Sequence, residues 1–311
     1  MWQQQLNEIK QGNSKTLARC ISIIENEVEG YKSLLEQLPF SNTAVIGITG
    51  PPGAGKSTLV DALVSALVAE NKKVGVLCVD PSSPFNLGAL LGDRIRMSEW
   101  YNNPAVFIRS LATRGSLGGL HPKIIEITDL LKAAPFDYII VETVGVGQSE
   151  IEIAGLADVT IVVVVPEAGD EVQTMKAGLM EIADVFVVNK ADRPDADLFV
   201  KNLRLMLAPS FSNHTMPVPV IKTIASQKKG IEELLSSIKE NIAREKHAEK
   251  RSWLLAEKAF QLIQQQKMKS VNKKELKEKI DALGNAFNLY QFIRQYFLKE
   301  KNWVMTRRRN E

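Results

Sequence analysis

The chain has 311 residues, 45% hydrophobic and 24% charged, which is typical of a soluble globular protein with room for one large α/β domain and helical additions. The net charge of only +3 gives no strong case for nucleic acid as the main partner, and the longest aliphatic run, Ile161–Val165, is far too short to cross a bilayer. Two cysteines fit reduced core residues better than a disulfide, and no signal-peptide pattern opens the chain, so we expect a cytoplasmic protein with no membrane partner.

Residues 1–42 are predicted to form a helical N-terminal extension. Apolar side chains recur there at helical spacing, and four of them fall near one face: Leu17, Ile21, Ile24 and Val28. Pro39 ends the segment before the first strand. We expect this extension to pack against the main domain.

Residues 43–245 alternate between strand-like and helix-like segments. The predicted strands are Ala44–Thr49, Val74–Val79, Ala105–Arg109, Tyr138–Glu142, Val159–Val165, Val185–Asn189 and Val218–Lys222. The predicted helices are Lys56–Glu70, Lys123–Ala133, Asp170–Ile182, Ala196–Leu207 and Ile231–Ala243. Continuous aliphatic strands separated by helices indicate an α/β fold with a mostly parallel sheet, covered by helices on both faces. Ligands of such folds bind beyond the carboxyl ends of the strands.

Residues 246–311 are predicted to be a helical C-terminal part. Charge becomes dense there, strand signals disappear, and aromatic side chains recur at helical spacing, as with Trp253 and Phe260 and again over 287–297. Such helices form either the core of a subdomain or a dimer surface, and the sequence leaves both open.

The stretch that follows the first predicted strand predicts a phosphate-binding loop. It has the form G-x-x-x-x-G-K-S and runs into a helix. Its residues are Gly50, Pro51, Pro52, Gly53, Ala54, Gly55, Lys56, Ser57 and Thr58. The glycines let backbone N–H groups turn toward a polyphosphate, Lys56 supplies a positive charge for the β- and γ-phosphates, and the Ser57 hydroxyl is placed to bind Mg²⁺. The fold class is therefore expected to be that of a P-loop NTPase.

A second motif indicates guanine. Asn189, Lys190 and Asp192 form an N-K-x-D pattern at the end of a predicted strand. The Asp192 carboxylate can accept from guanine N1–H and the exocyclic amine, whereas adenine would leave it unpaired. GTP is thus favoured over ATP. A second loop that contacts the base is predicted at Ile224, Ala225 and Ser226, although the usual Ser-Ala pair is not in register there.

Acidic residues follow three strands or loops near the phosphate loop. Glu142 and Gly145 occupy the places of D-x-x-G, whose carboxylate reaches Mg²⁺ through water and whose glycine N–H meets the γ-phosphate. Glu is one methylene longer than Asp, which implies a water-bridged or slightly displaced metal contact. Asp80 and Asp93 suggest further Mg²⁺–water ligation and a movable switch loop.

Several short sequence motifs occur in the order seen in the GTPases associated with methylmalonyl-CoA mutase. This group was once labelled arginine/ornithine transport kinases. The chain resembles the group over roughly residues 10–245. The motifs are the phosphate loop, Val79–Ser83, Gly92–Arg94, Thr113–Gly119, Val141–Glu150 and Asn189–Asp192.

The resemblance implies a GTPase of the same branch as signal-recognition-particle and nickel-chaperone GTPases. Its members act as chaperones that gate cofactor loading and protect an adenosylcobalamin-dependent acyl-CoA mutase. It implies that Lys56, Asp80, Asp93 and Glu142 are essential for Mg²⁺–GTP chemistry, and that 166–176 is a further switch that relays nucleotide state to the mutase. It also implies a homodimer formed through C-terminal helices, although the lysine-rich end after about 265 matches the family less clearly.

The expected reaction is in-line attack of water on the γ-phosphate. Val146 stands where simple GTPases carry a water-orienting Gln, so we expect slow hydrolysis that a partner accelerates. Three alternatives stay open at this point: a metallochaperone for a nickel enzyme, a small-molecule kinase, and a regulatory GTP-binding module without useful turnover. The presence of only three histidines and no C-x-x-C speaks against the first, and N-K-x-D against the second.

Overall fold

The architecture follows from a computed structural model, which describes residues 2–80, 97–113, 120–145, 149–167, 177–207, 218–243, 248–268, 271–284 and 287–296. Its strands are β1 Ala44–Thr49, β2 Val74–Asp80, β3 Val106–Ala112, β4 Tyr138–Glu142, β5 Val159–Val164, β6 Val185–Val188 and β7 Val220–Lys222. All seven predicted strands are present, and their bounds differ from the predicted ones by three residues or fewer.

The strands form one sheet in the order β3-β2-β4-β1-β5-β6-β7, and each neighbouring pair is parallel. The central strands β1, β2 and β5 are buried at every position. This burial explains why aliphatic residues dominate these strands and why they do not alternate between apolar and polar residues. The predicted α/β fold with a parallel sheet is confirmed.

Helices cover both faces of this sheet. The helices of the described residues are, in chain order, α1 Trp2–Lys10, α2 Ser14–Glu25, α3 Tyr31–Leu35, α4 Lys56–Ala69, α5 Ile124–Lys132, α6 Ser149–Leu156, α7 Ala177–Ile182, α8 Ala196–Met206, α9 Ile231–Ala243, α10 Ala248–Met268, α11 Lys273–Leu283 and α12 over 289–296. Apolar residues of α4 and α9 share one core with the first face of the sheet. Residues of α1, α2, α5 and α6, and separately of α7 and α8, pack on the second face.

The N-terminal helices are part of the packing on the second face. Leu17, Ile21 and Ile24 are buried in the same cluster as strand residues of β1, β2 and β4. The Asn13 side chain caps α2 by accepting from two backbone N–H groups of its first turn. The prediction for Val28 is wrong, because α2 ends at Glu25 and Val28 is therefore exposed.

The chain divides into two compact units, Met1–Leu254 and Leu255–Glu311. In the described part of the second unit no residue is buried, and large apolar side chains such as Phe260, Ile263 and Tyr290 are exposed. None of the side chains described in these helices therefore belongs to a buried core. Among all the helices described, none combines the length and the apolar character that crossing a membrane requires. The predicted boundaries at 42/43 and 245/246 stay predictions.

Candidate nucleotide-binding site

The phosphate loop joins the carboxyl end of β1 to the start of α4, as the sequence predicts. The Lys56 ammonium is buried and donates to the carbonyl oxygens of Gly50 (2.9 Å) and Pro51 (3.0 Å). Gly55, just before the helix, has a φ of +87°, and a Cβ there would collide with the side-chain amide of Asn189. Only glycine fits this position. The loop thus presents α4's N-terminus, which favours anions, beside a fixed cation.

A hydroxyl and a carboxylate meet next to this loop. Ser57, in the first turn of α4, donates from Oγ to Glu142 Oε1 at 2.7 Å, and both side chains are buried. Glu142 ends β4, and Asp80, also buried, ends the neighbouring strand β2. Two carboxylates thus lie at the carboxyl ends of neighbouring strands, and one of them meets the Ser57 hydroxyl at the start of α4.

These donors suit Mg²⁺, which prefers hard oxygen ligands and binds through one or two protein groups together with water and phosphate. In the part of the chain that the structure describes, no cluster of three His, Cys, Asp or Glu residues is arranged to hold a metal. A site of the Mg²⁺–phosphate type needs no such cluster. The Ser57 hydroxyl and the Glu142 carboxylate are thus compatible with the predicted ion, and they are poorly suited to a soft metal that needs thiolate or imidazole ligands.

The loop that follows β4 lies directly on the phosphate loop. Gly145 has a φ of +86°, and a Cβ at this position would collide with the Gly50 carbonyl oxygen and with the Lys56 ammonium. Glycine is therefore required here both because the backbone has a positive φ and because a side chain would not fit against the phosphate loop. The structure brings the predicted D-x-x-G glycine against the lysine that would bind the phosphates.

Asn189 is the structural centre of the predicted guanine motif. Its side chain is only 2% exposed and makes three hydrogen bonds. Nδ2 donates to the Ala54 carbonyl (2.9 Å), and Oδ1 accepts from the Thr223 hydroxyl (3.1 Å) and from the Ala225 backbone N–H (3.1 Å). One side chain thereby ties the N-K-x-D loop to the phosphate loop and to the loop after β7.

The rest of the motif continues this connection. Lys190 Nζ donates to the Gly53 carbonyl at 2.8 Å, and the Ala191 N–H donates to the Thr223 carbonyl at 3.0 Å. Asp192 is exposed beyond these bonds, with its carboxylate at the surface. Ile224–Ser226 lies beside the motif, since Ala225 is bonded to Asn189. The two predicted base loops are therefore neighbours, although base contact by Ile224, Ala225 and Ser226 stays a prediction.

One ion pair at this site was not predicted from the sequence. The Arg193 guanidinium, directly after Asp192, contacts the Glu167 carboxylate, which lies shortly after the end of β5. Both side chains are about half exposed. The pair links the N-K-x-D loop to the beginning of the segment 166–176 that the family resemblance marks as a switch.

Some predicted site residues lie outside the described residues. They are Asp93 together with the rest of 81–96, residues 114–119 of the Thr113–Gly119 string, Val146, and residues 168–176 of the expected third switch. Their predicted roles stay predictions.

The parallel sheet, the phosphate loop and the adjoining N-K-x-D motif define a P-loop GTPase. The chain belongs to the family of methylmalonyl-CoA mutase-associated GTPases, MeaB, which matches residues 17–280. The family that the sequence strings indicated is thus confirmed.

Individual relatives agree with this assignment. A protein of Pyrococcus abyssi provisionally named a GTPase is 43% identical over 95% of this chain and 91% of its own length. The GTPase ArgK of Escherichia coli K12 is 42% identical over 60% of this chain and 58% of its own length. The fused isobutyryl-CoA mutase of Geobacillus kaustophilus is 37% identical over 72% of this chain, which corresponds to 22% of that longer protein.

Solved structures show the same fold. The crystal structure of a LAO/AO transport system kinase superimposes with a TM-score of 0.71 at 26% identity, covering 96% of this chain and 97% of that one. The hydrogenase maturation factor HypB of Archaeoglobus fulgidus gives a TM-score of 0.50 at 20% identity, covering 72% of this chain and 99% of its own. The HypB likeness concerns the fold alone.

Proposed function

We propose that this GTPase is a chaperone of an adenosylcobalamin-dependent acyl-CoA mutase, methylmalonyl-CoA mutase or a related enzyme, and that it gates cofactor loading and protects the mutase from inactivation. The observation that carries the mutase link is the homologous segment within the fused isobutyryl-CoA mutase of Geobacillus kaustophilus. Natural fusion of two domains places them permanently within reach of each other. A separate chain of the same family would act on a separate mutase.

Each part of the nucleotide is assigned to residues of this chain. Backbone N–H groups of Gly53–Thr58 and the N-terminus of α4 hold the phosphates, and Lys56 neutralises charge on the β- and γ-phosphates. Asp192 accepts from the guanine edge, while Asn189 and Lys190 fix its loop against the phosphate loop. Guanine recognition and phosphate binding then depend on one connected set of hydrogen bonds.

Hydrolysis follows from the same placement. Water attacks the γ-phosphate in line with the leaving oxygen of GDP, and Lys56 and the loop amides stabilise the charge that develops on the phosphoryl oxygens. The close approach of Gly145 to the Lys56 ammonium supports a contact of its N–H with a γ-phosphate bound by that lysine.

The Mg²⁺ that GTP brings would be held by Ser57, with Asp80, Asp93 and Glu142 acting directly or through water, and when bound it would neutralise phosphate charge. The hydroxyl–carboxylate pair of Ser57 and Glu142 supports this assignment, because both groups already converge beside the loop.

The protein is further proposed to be a cytoplasmic homodimer formed through its C-terminal helices. Support comes from α10, α11 and α12, in which large apolar side chains stay exposed while no described residue is buried. A second copy would cover these exposed side chains and thereby remove apolar surface from water.

Two measurements test the function. GTP hydrolysis by the full chain is measured alone and with a cobalamin-dependent acyl-CoA mutase, and we expect the mutase to raise kcat. Equal turnover in both conditions would contradict the regulated cycle. Co-purification from the native cell should yield the mutase, and its absence would count against the chaperone role.

A variant at Glu142 tests one of the carboxylates proposed to bind Mg²⁺. Glu142→Gln is isosteric and keeps a hydrogen-bond acceptor for Ser57, so loss of mutase-stimulated turnover in this variant would be assigned to the carboxylate charge. Competition by nucleotides separates the kinase alternative: ATP that displaced bound GTP with comparable affinity would contradict guanine selectivity.

A further inference from the structure

A buried pair of threonines joins the two strands that carry the phosphate loop and the Gly145 loop. Thr49 is the last residue of β1, and Thr143 follows the last residue of β4. The Thr143 hydroxyl donates to the Thr49 hydroxyl at 2.9 Å, and the Thr143 N–H donates to the Ile48 carbonyl at 3.0 Å. Thr49 and Thr143 are 0% and 1% exposed. The backbone hydrogen bonding between β1 and β4 therefore continues for one residue beyond the end of β4, and a hydrogen bond between the two hydroxyls follows it.

This pair lies on the opposite face of the sheet from the Ser57–Glu142 contact. Strand side chains alternate between faces, and Ile48 packs with α4 on the first face. Thr49 and Thr143, each one position further, therefore point to the second face, where Val144 packs against the cluster that contains α5 and α6. The bond thus fixes the loop after β4 from the side away from the proposed metal.

Two residues after Thr143, the chain lies against the phosphate loop. Gly145 approaches the Gly50 carbonyl oxygen and the Lys56 ammonium so closely that no side chain fits there. The path is short: Thr49 directly precedes Gly50, and a single residue separates Thr143 from Gly145. The hydrogen bond between the two hydroxyls therefore joins the carboxyl ends of β1 and β4, whose separation determines the distance from Gly145 to Lys56.

We propose that Thr49 and Thr143 are positioning residues that set this separation and thereby let the protein distinguish a nucleoside triphosphate from a diphosphate. The inference rests on the proposed contact of the Gly145 N–H with the γ-phosphate. GDP lacks that phosphate, so a shift of Gly145 weakens GTP binding and leaves GDP binding unchanged. Neither threonine touches the nucleotide in this role.

The experiment uses the full chain with Mg²⁺ and two probes, GDP and the non-hydrolysable guanosine 5′-(β,γ-imido)triphosphate, whose affinities are measured by calorimetry. The variants are Thr49→Val, Thr143→Val, their combination, and Thr143→Ser, which keeps a hydroxyl. Thr160→Val is the matched control: Thr160 is 1% exposed and lies near the amino end of β5, away from the phosphate loop.

The double variant separates positioning from stability. Each single change leaves one buried hydroxyl without this partner, whereas replacing both partners by apolar groups of similar shape is close to neutral for stability. We therefore expect the double variant to unfold near the wild-type temperature and still to lose about fivefold in the ratio of triphosphate to GDP affinity, the equivalent of one net hydrogen bond. Thr143→Ser and Thr160→Val should keep the wild-type ratio.

A wild-type ratio in the double variant would overturn the proposal, as would an equal loss of affinity for both nucleotides. The variant Gly145→Ala distinguishes an error in the role of the threonines from an error in the proposed γ-phosphate contact. If Gly145→Ala lowers the ratio and the double variant does not, only the role of the threonines is wrong. If Gly145→Ala leaves the ratio unchanged, the proposed γ-phosphate contact is wrong, and the inference fails with it.

Discussion

Replacing Asn189 by Ala should destabilise the fold and weaken guanine-nucleotide binding together. The side chain is buried and makes three hydrogen bonds, to the carbonyl of Ala54, the hydroxyl of Thr223 and the N–H of Ala225. A net hydrogen bond contributes about 1 kcal/mol and a buried group left without a partner costs more, so we expect a loss of about 2–4 kcal/mol. At about 2–4 °C per kcal/mol for a domain of this size, Tm should fall by roughly 5–15 °C.

The assay is thermal unfolding of the nucleotide-free full chain, followed by calorimetric titration with GDP. Asn202→Ala is the matched control, because Asn202 is exposed on α8 and its truncation should change stability by less than about 0.5 kcal/mol. Asn189→Asp adds a second comparison, since it keeps both acceptor contacts but places a carboxylate oxygen against the Ala54 carbonyl. A Tm for Asn189→Ala within 2 °C of the Asn202→Ala value would refute the reasoning.

Three further predictions concern residues around the site. Asp192→Asn should lower GTP affinity at least about tenfold and raise affinity for XTP, because an amide can donate to the xanthine 2-carbonyl; nucleotide competition measures both. Because the ion pair of Arg193 with Glu167 is half exposed, Arg193→Ala should lower the ratio of GTP to ITP affinity by at most about fivefold. The double variant that exchanges the two charges, Arg193→Glu with Glu167→Arg, should restore the ratio. Because burial raises the pKa of the Cys20 thiol and Cys78 is also buried, neither thiol should react with Ellman's reagent until the protein is unfolded, and rapid labelling of the native chain would contradict this.

The sheet could be predicted because burial on both faces leaves a clear sequence signal. Strands such as Val159–Val164 are aliphatic at all positions but one, and turn residues or helices separate them. Helix α6, Ser149–Leu156, was not predicted as an element. Its apolar and acidic residues alternate with period two over 150–153, which is not a helical spacing. Tertiary packing determines the helix, because Ile153 is completely buried against the second face of the sheet.

The residues of the site could be predicted only where a motif has fixed spacing. The G-x-x-x-x-G-K-S and N-K-x-D patterns locate Lys56 and Asn189, since a single turn or strand end carries each motif. The Arg193–Glu167 pair joins two loops 26 positions apart, and loop charges have no periodicity that would reveal a partner. The threonine pair at 49 and 143 depends on β1 and β4 being neighbours, which only the strand order shows.

The contacts of the two nucleotide motifs have a consequence for how variants are interpreted. Asn189 and Lys190 hold the phosphate loop through the carbonyls of Ala54 and Gly53, so the bonds that position the proposed base-recognition loop also connect it to the rest of the fold. A loss of GTP affinity at Asn189 therefore combines unfolding with lost recognition, and it cannot be assigned to the base alone. Asp192 is exposed beyond these bonds, so its substitution should change the proposed base recognition while the bonds that brace the loop remain. Guanine selectivity is accordingly best measured at Asp192, and the coupling between base and phosphate loops at Asn189.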